Sequence, residues 1–331
     1  MDLALIWAGI IAFAVLTYVM LDGFDLGVGI LFPWFSDADK RTAIGTLAPI
    51  WDGNETWLVL GGGGLFAVFP LAYALLLTAF YPLIIAMLIA LVFRGASLEY
   101  REKTVRWREF WNLGFWLGSL VAALCQGIML GAFIQGIAVA DRAYAGGWFD
   151  WLTPFSVTCG ISIVIGYALL GGTWIVMKTH TLSSAVRPFL TPLCIALFVL
   201  IVVVSSWVPF LDARLNDRWF VWPNMLVFAP IPVLVVVLVL ALLRALRGHH
   251  DGTPFWLAQG LFAVTYCGFG ISTYPYIVPH QVEIWAAAAP AASLKFLLTG
   301  TVVLLPMILA YSAHSYWVFR GKIDDDRGYG G

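Results

Sequence analysis

Two short acidic patterns carry what chemistry this chain offers. Asp22 and Asp25 lie in Leu21–Gly29 (LDGFDLGVG), three residues apart, so one helix face would present both carboxylates. Asp52 and Glu55 repeat the spacing in Trp51–Trp57 (WDGNETW). Carboxylates gathered in a low-dielectric setting exchange protons near neutral pH more readily than isolated ones. The expected proton path is therefore Asp52 as the entry, with Asp22, Asp25 and Glu55 tuning it. Structural roles compete with this reading. Asp22 and Asp25 would pair with Lys40 or Arg41 among lipid headgroups, and Asp52-x-x-Glu55 has the spacing of a helix capping box. A third pattern, Phe93–Arg101 (FRGASLEYR), reads as structural ion pairs at the headgroups formed by Arg94, Glu99 and Arg101. The basic stretch through Arg108 would attract anionic lipids.

Other chemistries lack their residues. Cys125, Cys159, Cys194 and Cys267 each stand alone in apolar surroundings, without the paired spacing of zinc or iron–sulfur sites. His180, His249, His250 and His280 fall in or beside loops and His314 is alone near the end of the last span, so no two histidines share a helix at haem-ligand spacing. Walker loops, HExxH and nucleophile elbows are missing from the sequence. The chain is expected to ligate no metal and to handle protons only, leaving redox chemistry to a partner.

The elements that must hold these acids follow from composition. Of 331 residues, 61% are hydrophobic and only 11% charged, less than half the charge of a soluble domain. A net charge of −1 excludes a nucleic-acid binder, which needs a basic surface. The 16 Trp and 12 Tyr suit membrane interfaces. With about 20 apolar residues per crossing, nine spans are expected, at 4–32, 53–72, 75–98, 113–138, 155–178, 188–208, 224–246, 256–276 and 296–319. The first is too long for a signal h-region and is read as retained. Fourteen of the 18 Lys and Arg fall in connections after odd-numbered spans, which places those connections in the cytoplasm, the N-terminus outside and the C-terminus inside. Tyr18–Asp25 (YVMLDGFD) aligns with Tyr167–Trp174 (YALLGGTW) at an offset of 149, matching Tyr18 with Tyr167, Leu21 with Leu170 and Gly23 with Gly172. The fold expected is all-α and polytopic: a first four-helix half in 1–140, a second in 150–247 plus 255–277, and a ninth helix at 296–320. In this alignment Asp22 and Asp25 face Gly171 and Trp174, so the acids belong to one half only.

Four motifs, Leu21–Gly29, Trp51–Trp57, Gly62–Pro70 (GGGLFAVFP) and Phe93–Arg101, resemble in order and spacing those of subunit II of the cytochrome bd quinol oxidases. The similarity is dense over roughly the first 110 residues and looser beyond, as at Tyr311–Trp317. The chain is on the short side for the family, with a compact 209–223 loop, and resembles its cyanide-insensitive branch. The resemblance implies a 4+4+1 subunit in a bacterial cytoplasmic (inner) membrane, paired with a haem-bearing subunit I that holds two b-type haems and one haem d. The complex would oxidise quinol, reduce dioxygen to water and build a proton gradient. Small accessory subunits and lipids are further partners it implies, and nucleic acid is not. The family's proton-path aspartate corresponds to Asp52, its paired first-helix acids to Asp22 and Asp25, and a tryptophan beside a lateral oxygen entry to Trp57. Two alternatives stand beside this reading: a proton-coupled secondary transporter, which also uses intramembrane acids, and a non-catalytic scaffold.

Overall fold

A computed structural model describes residues 2–248 and 251–323; His249, His250 and Arg327, used in the reading above, lie outside the described residues. The chain forms α1 (Leu3–Leu31), α2 (Asp37–Leu47), α3 (Trp51–Val68), α4 (Pro70–Tyr100), α5 (Arg108–Gln135), α6 (Pro154–Lys178), α7 (Thr181–Trp207), α8 (Ala213–Phe220), α9 (Asn224–Phe228), α10 (Pro230–Leu246), α11 (Thr253–Thr273), α12 (Ile284–Ala287) and α13 (Ala291–Val318). Eight helical segments among the described residues are long and apolar enough to cross a bilayer, and the protein is a polytopic membrane protein. The expected second span is α3, which is not among the eight. Its first turns hold Asp52, Asn54 and Glu55, and Gly61–Gly64 adds little hydropathy.

Several boundaries differ from expectation for local reasons. The second span was expected to reach residue 72, but Phe69 leaves helical geometry (φ −125°, ψ 62°) and Pro70 starts α4, where a missing N–H costs nothing. The seventh span is divided into α9 and α10 by Pro230. The 209–223 loop contains α8, whose N-cap Asp212 accepts from the Arg214 amide at 2.8 Å. Between the first two spans lies α2, a polar helix capped by Ser36, which accepts from the Asp39 amide at 3.3 Å. Two small hairpins, β1–β2 (Val139–Ala140 with Ala143–Tyr144) and β3–β4 (Tyr276–Val278 with Val282–Glu283), sit at the opposite end of the bundle from α2.

The core is built around α1 and α6. Every residue from Asp22 to Leu31 is buried, and so is every residue from Gly166 to Val176. These stretches press together at Gly27 and Gly171. A Cβ on Gly27 would fall 1.7 Å from the Tyr167 carbonyl oxygen, and one on Gly171 would fall 2.2 Å from the Val28 nitrogen. Only glycine allows that backbone approach, the small-residue packing typical of membrane helices. Around this axis α3 packs on α1 and α7 on α6, α5 lies against both and carries α4 on its outer side, and α10 and α11 pair beside α6 and α7. α13 is peripheral, with Leu294 its one buried residue. It is tied to the bundle by the Trp7 indole N–H, which donates to the Leu294 carbonyl at 3.1 Å, and by the Tyr316 hydroxyl near its other end.

Candidate functional site

Asp22 and Asp25 sit inside the fully enclosed half of α1, on one face as the spacing requires. Both are completely buried, and so is the side chain they meet, Arg94. The guanidinium is carried by α4 a turn and a half before its end. α5 packs on the α4 backbone here at Gly118, where a Cβ would fall 3.1 Å from the Arg94 backbone nitrogen. Arg94 Nη1 lies 2.9 Å from Asp22 Oδ1, and Nη2 lies 3.5 Å from Asp25 Oδ2. Nη1 also pairs with Glu55 Oε1. Glu55 is the member that reaches outward, its side chain 25% exposed, and Asp52, one turn earlier on α3, is exposed. The sequence grouped Arg94 with Glu99 and Arg101 at the headgroups. The structure separates them: Glu99 pairs with Lys103 at 3.1 Å, and Arg101 pairs with Glu102 and donates from Nε to Asn112 Oδ1 at 2.7 Å.

Two neutral amides border the cluster. Asn54 Nδ2 donates to Asp25 Oδ2 at 2.8 Å and to the Leu21 carbonyl at 3.4 Å, while its Oδ1 accepts from the Tyr316 hydroxyl at 2.8 Å. On the other side Gln126 Nε2 donates to the Tyr18 hydroxyl at 2.8 Å and Gln126 Oε1 accepts from Tyr167 at 2.8 Å. Tyr18 lies one turn before Asp22 on α1. Asn54, Gln126, Tyr316 and Arg94 as counter-ion were missed from the sequence. An amide inside an otherwise apolar helix, as in Ala122–Leu130, is the signal that could have found Gln126.

The structural alternatives for the acids are corrected by these contacts. Lys40 pairs with Asp37 and Arg41 with Glu102, so neither meets Asp22 or Asp25. The N-cap of α3 is Ile50, without a side-chain cap bond, so Asp52 and Glu55 form no capping box. Chemically the site is three carboxylates on one guanidinium. It reaches electroneutrality when two of the three carry protons, and an uncompensated charge in such a setting is costly. It is therefore suited to binding and releasing protons. Among the described residues no group of three or more His, Cys, Asp or Glu could hold a metal. Trp57, expected beside an oxygen entry, is 1% exposed. It packs with Ala14 and Tyr18 and edge-on to Phe13 at 5.9 Å, its indole N–H without a partner among the described residues.

A second charged group closes the same end of the bundle. Asp251, in the α10–α11 connection, accepts from Lys322 Nζ at 2.6 Å and pairs with Arg187. The hydrogen bond from Lys322, helped by the charge of both cations, holds its carboxyl below the ordinary aspartate range. Next to it the buried Lys178 donates to the carbonyls of Phe319 and, at 3.2 Å, of Gly321, and its ammonium lies 5.1 Å from the centre of the Trp174 ring.

A long-helix bundle with three carboxylates on one buried arginine defines a polytopic membrane protein with an enclosed charged centre, and comparison with known proteins gives its family. Residues 3–319 match the family described as cytochrome bd terminal oxidase subunit II, and the chain belongs to that family. It is 31% identical to cytochrome bd-I ubiquinol oxidase subunit 2 of Escherichia coli (strain K12), over 97% of this chain and 95% of that one. It is 26% identical to cytochrome bd ubiquinol oxidase subunit 2 of Bacillus subtilis (strain 168), over 96% of each. Its fold is similar to a chain in the structure of bd oxidase from Geobacillus thermodenitrificans, with a TM-score of 0.77 at 16% identity, covering 97% of this chain and 100% of that chain.

Proposed function

We propose that this chain, a bd-type oxidase subunit by family, stabilises a haem-bearing subunit I and conducts cytoplasmic protons toward the site where dioxygen is reduced. Quinol as the reductant, two b-type haems and one haem d on subunit I, and a proton gradient as the product are carried over from the family. The observation that carries the proton role is the geometry at Arg94: a buried, charge-unbalanced acid cluster whose one exposed carboxylate, Glu55, adjoins exposed Asp52. All nine long helices, α3 included, cross the membrane in this reading. They form one half in 1–140, a second in 150–247 with 255–277, and a ninth helix at 296–320. The split of Lys and Arg supports an outer N-terminus and an inner C-terminus.

The outward face of α3 supports a place for subunit I. Gly61 and Gly64 face Val15 and Ile11 of α1, while Gly62 and Gly63 have nothing within 4 Å. Val59 and Phe66 are exposed on that outer side, as are Asp52 and Thr56. A bare glycine step flanked by apolar side chains favours close packing of a second helix, which would bring Asp52 against the partner. Trp57, beneath this face, keeps its carried-over place near a lateral oxygen route. Small accessory subunits and bound lipid complete the assembly the family implies.

Reducing dioxygen to water consumes protons, so a drained intake limits turnover. Asp52→Asn should slow quinol-driven oxygen consumption by the purified complex by about tenfold or more, with the haem spectrum intact. Unchanged turnover would remove the proton-path reading. A proton-coupled transporter, the alternative, would purify without haem.

A further inference from the structure

The acid cluster has one titratable mouth. Of its three carboxylates only Glu55 reaches the surface, while Asp22, Asp25 and Arg94 are wholly enclosed. Among the described residues, two further lines of polar contacts lead away from the cluster, each through a carboxamide. Toward α13, Asp25 meets Asn54 and Asn54 meets Tyr316. Toward α5 and α6, Tyr18 beside Asp22 meets Gln126 and Gln126 meets Tyr167. Asn54 gives N–H to the Asp25 carboxylate and takes O–H from Tyr316, and Gln126 bridges the two hydroxyls, giving N–H to Tyr18 and taking O–H from Tyr167. A carboxamide donates and accepts without gaining or losing a proton near neutral pH. Toward Tyr316 and Tyr167, the next side chain in line from the cluster is thus one that does not itself take up or release a proton. By contrast, Arg94 Nη1 holds Asp22 Oδ1 and Glu55 Oε1 together on one nitrogen, so a proton passes between these two carboxylates by small side-chain rotations.

We propose that Asp22, Asp25 and Arg94 form a proton-storing side branch, opened and closed at Glu55, attached to a conducting route that runs along the Asp52–Glu55 edge of α3. This rests on the proton role proposed above and assigns its residues to two kinds of work. Asp52 and Glu55 pass protons on. Asp22 holds a proton that arrives from Glu55 and returns to it, Asp25 and Arg94 set the charge that makes this reversible, and Asn54 and Gln126 insulate the ends.

The test compares variants in the purified complex by quinol-driven oxygen consumption, with the haem spectrum as the assembly control and a pH-indicating dye reporting proton uptake when the complex is reduced. Asp52→Asn and Glu55→Gln should each lower turnover by about tenfold or more. Asp22→Asn should lower it by no more than about threefold, yet diminish the dye signal, since the store is lost while the route remains. An Asp22→Asn loss equal to that of Asp52→Asn overturns the side branch and leaves the proton role standing; full turnover in Asp52→Asn overturns the proton role itself. Should Asp22→Asn fail to assemble, Tyr18→Phe and Tyr316→Phe decide the matter, because each removes one hydroxyl beyond or beside an amide. Turnover within about twofold of the parent in both is the expected result. A loss in either matching that of Asp52→Asn means that protons continue through that end, and the insulated branch is wrong.

Discussion

Helices α1 and α6 meet the same demand in two chemistries. Each is enclosed along its second half, each approaches the other through a glycine, and the offset of 149 sets Asp22 and Asp25 against Gly171 and Trp174. In α6 that place is closed by packing. Trp174 stacks on Phe24 at 4.2 Å between ring centres and gives its indole N–H to Thr46 Oγ1 at 3.2 Å. In α1 the same place holds two buried carboxylates that need an arginine from α4. Since a well-packed apolar group serves as well as or better than buried ions for stability, α6 shows that this position in the bundle does not require charge. The acids of the first half are retained at a cost, which is the pattern expected of intramembrane ionisable groups that work.

Removing the arginine breaks this comparison most sharply. Arg94→Met leaves three carboxylates without a counter-ion and should cost about 3–5 kcal/mol, read as loss of assembled complex or a lower unfolding temperature. Replacing Asp22, Asp25 and Glu55 by Leu together with Arg94→Met makes the surroundings of α1 apolar, as those of α6 are at the aligned positions. That combination should restore assembly to the parent level or better while turnover stays low. A combined variant no more stable than Arg94→Met alone would mean that the charges hold the fold.

The shared glycine contact should respond next. Gly27→Ala drives a methyl into the Tyr167 carbonyl and should destabilise by about 1–3 kcal/mol, visible as a lower unfolding temperature with both halves affected. The smallest effect belongs to the Asp251 group. Its carboxyl titrates below its unfolded value, so the stability it contributes is present above about pH 4 and is lost as pH falls through the depressed value. Being partly exposed, the pairs contribute no more than about 1 kcal/mol. Asp251→Asn should therefore lower the unfolding temperature slightly at pH 7 and leave it unchanged at strongly acid pH.

Eight of the expected spans were legible because each is a long apolar run, whereas the expected second span, α3, carries Asp52, Asn54, Glu55 and Gly61–Gly64 and is not apolar enough to stand among them. The acids stood out because charge in such surroundings is rare. Sequence reading misplaced Arg94 because Phe93–Arg101 mixes two buried cations, Arg94 and Arg101, with the exposed Glu99 in nine residues, and only the length of α4 shows that Arg94 lies above the rim. Arg94 and Glu99 are five positions apart, which puts them on different faces of a helix. The amides at Asn54 and Gln126 were harder to assign, since their partners come from helices distant in the chain. α2 was lost to its polarity, although Ser36 followed by Asp39 marks its start.

The contacts of Lys178 have a consequence for biogenesis. The carbonyls that receive this buried ammonium come from residues 319 and 321, synthesised some 140 positions after it. Until they emerge, α6 carries a cation whose acceptors have not yet been made. Translation of this late segment and sealing of this end of the bundle are thus coupled in time, and a chain cut short before Phe319 would leave the Lys178 ammonium without these acceptors.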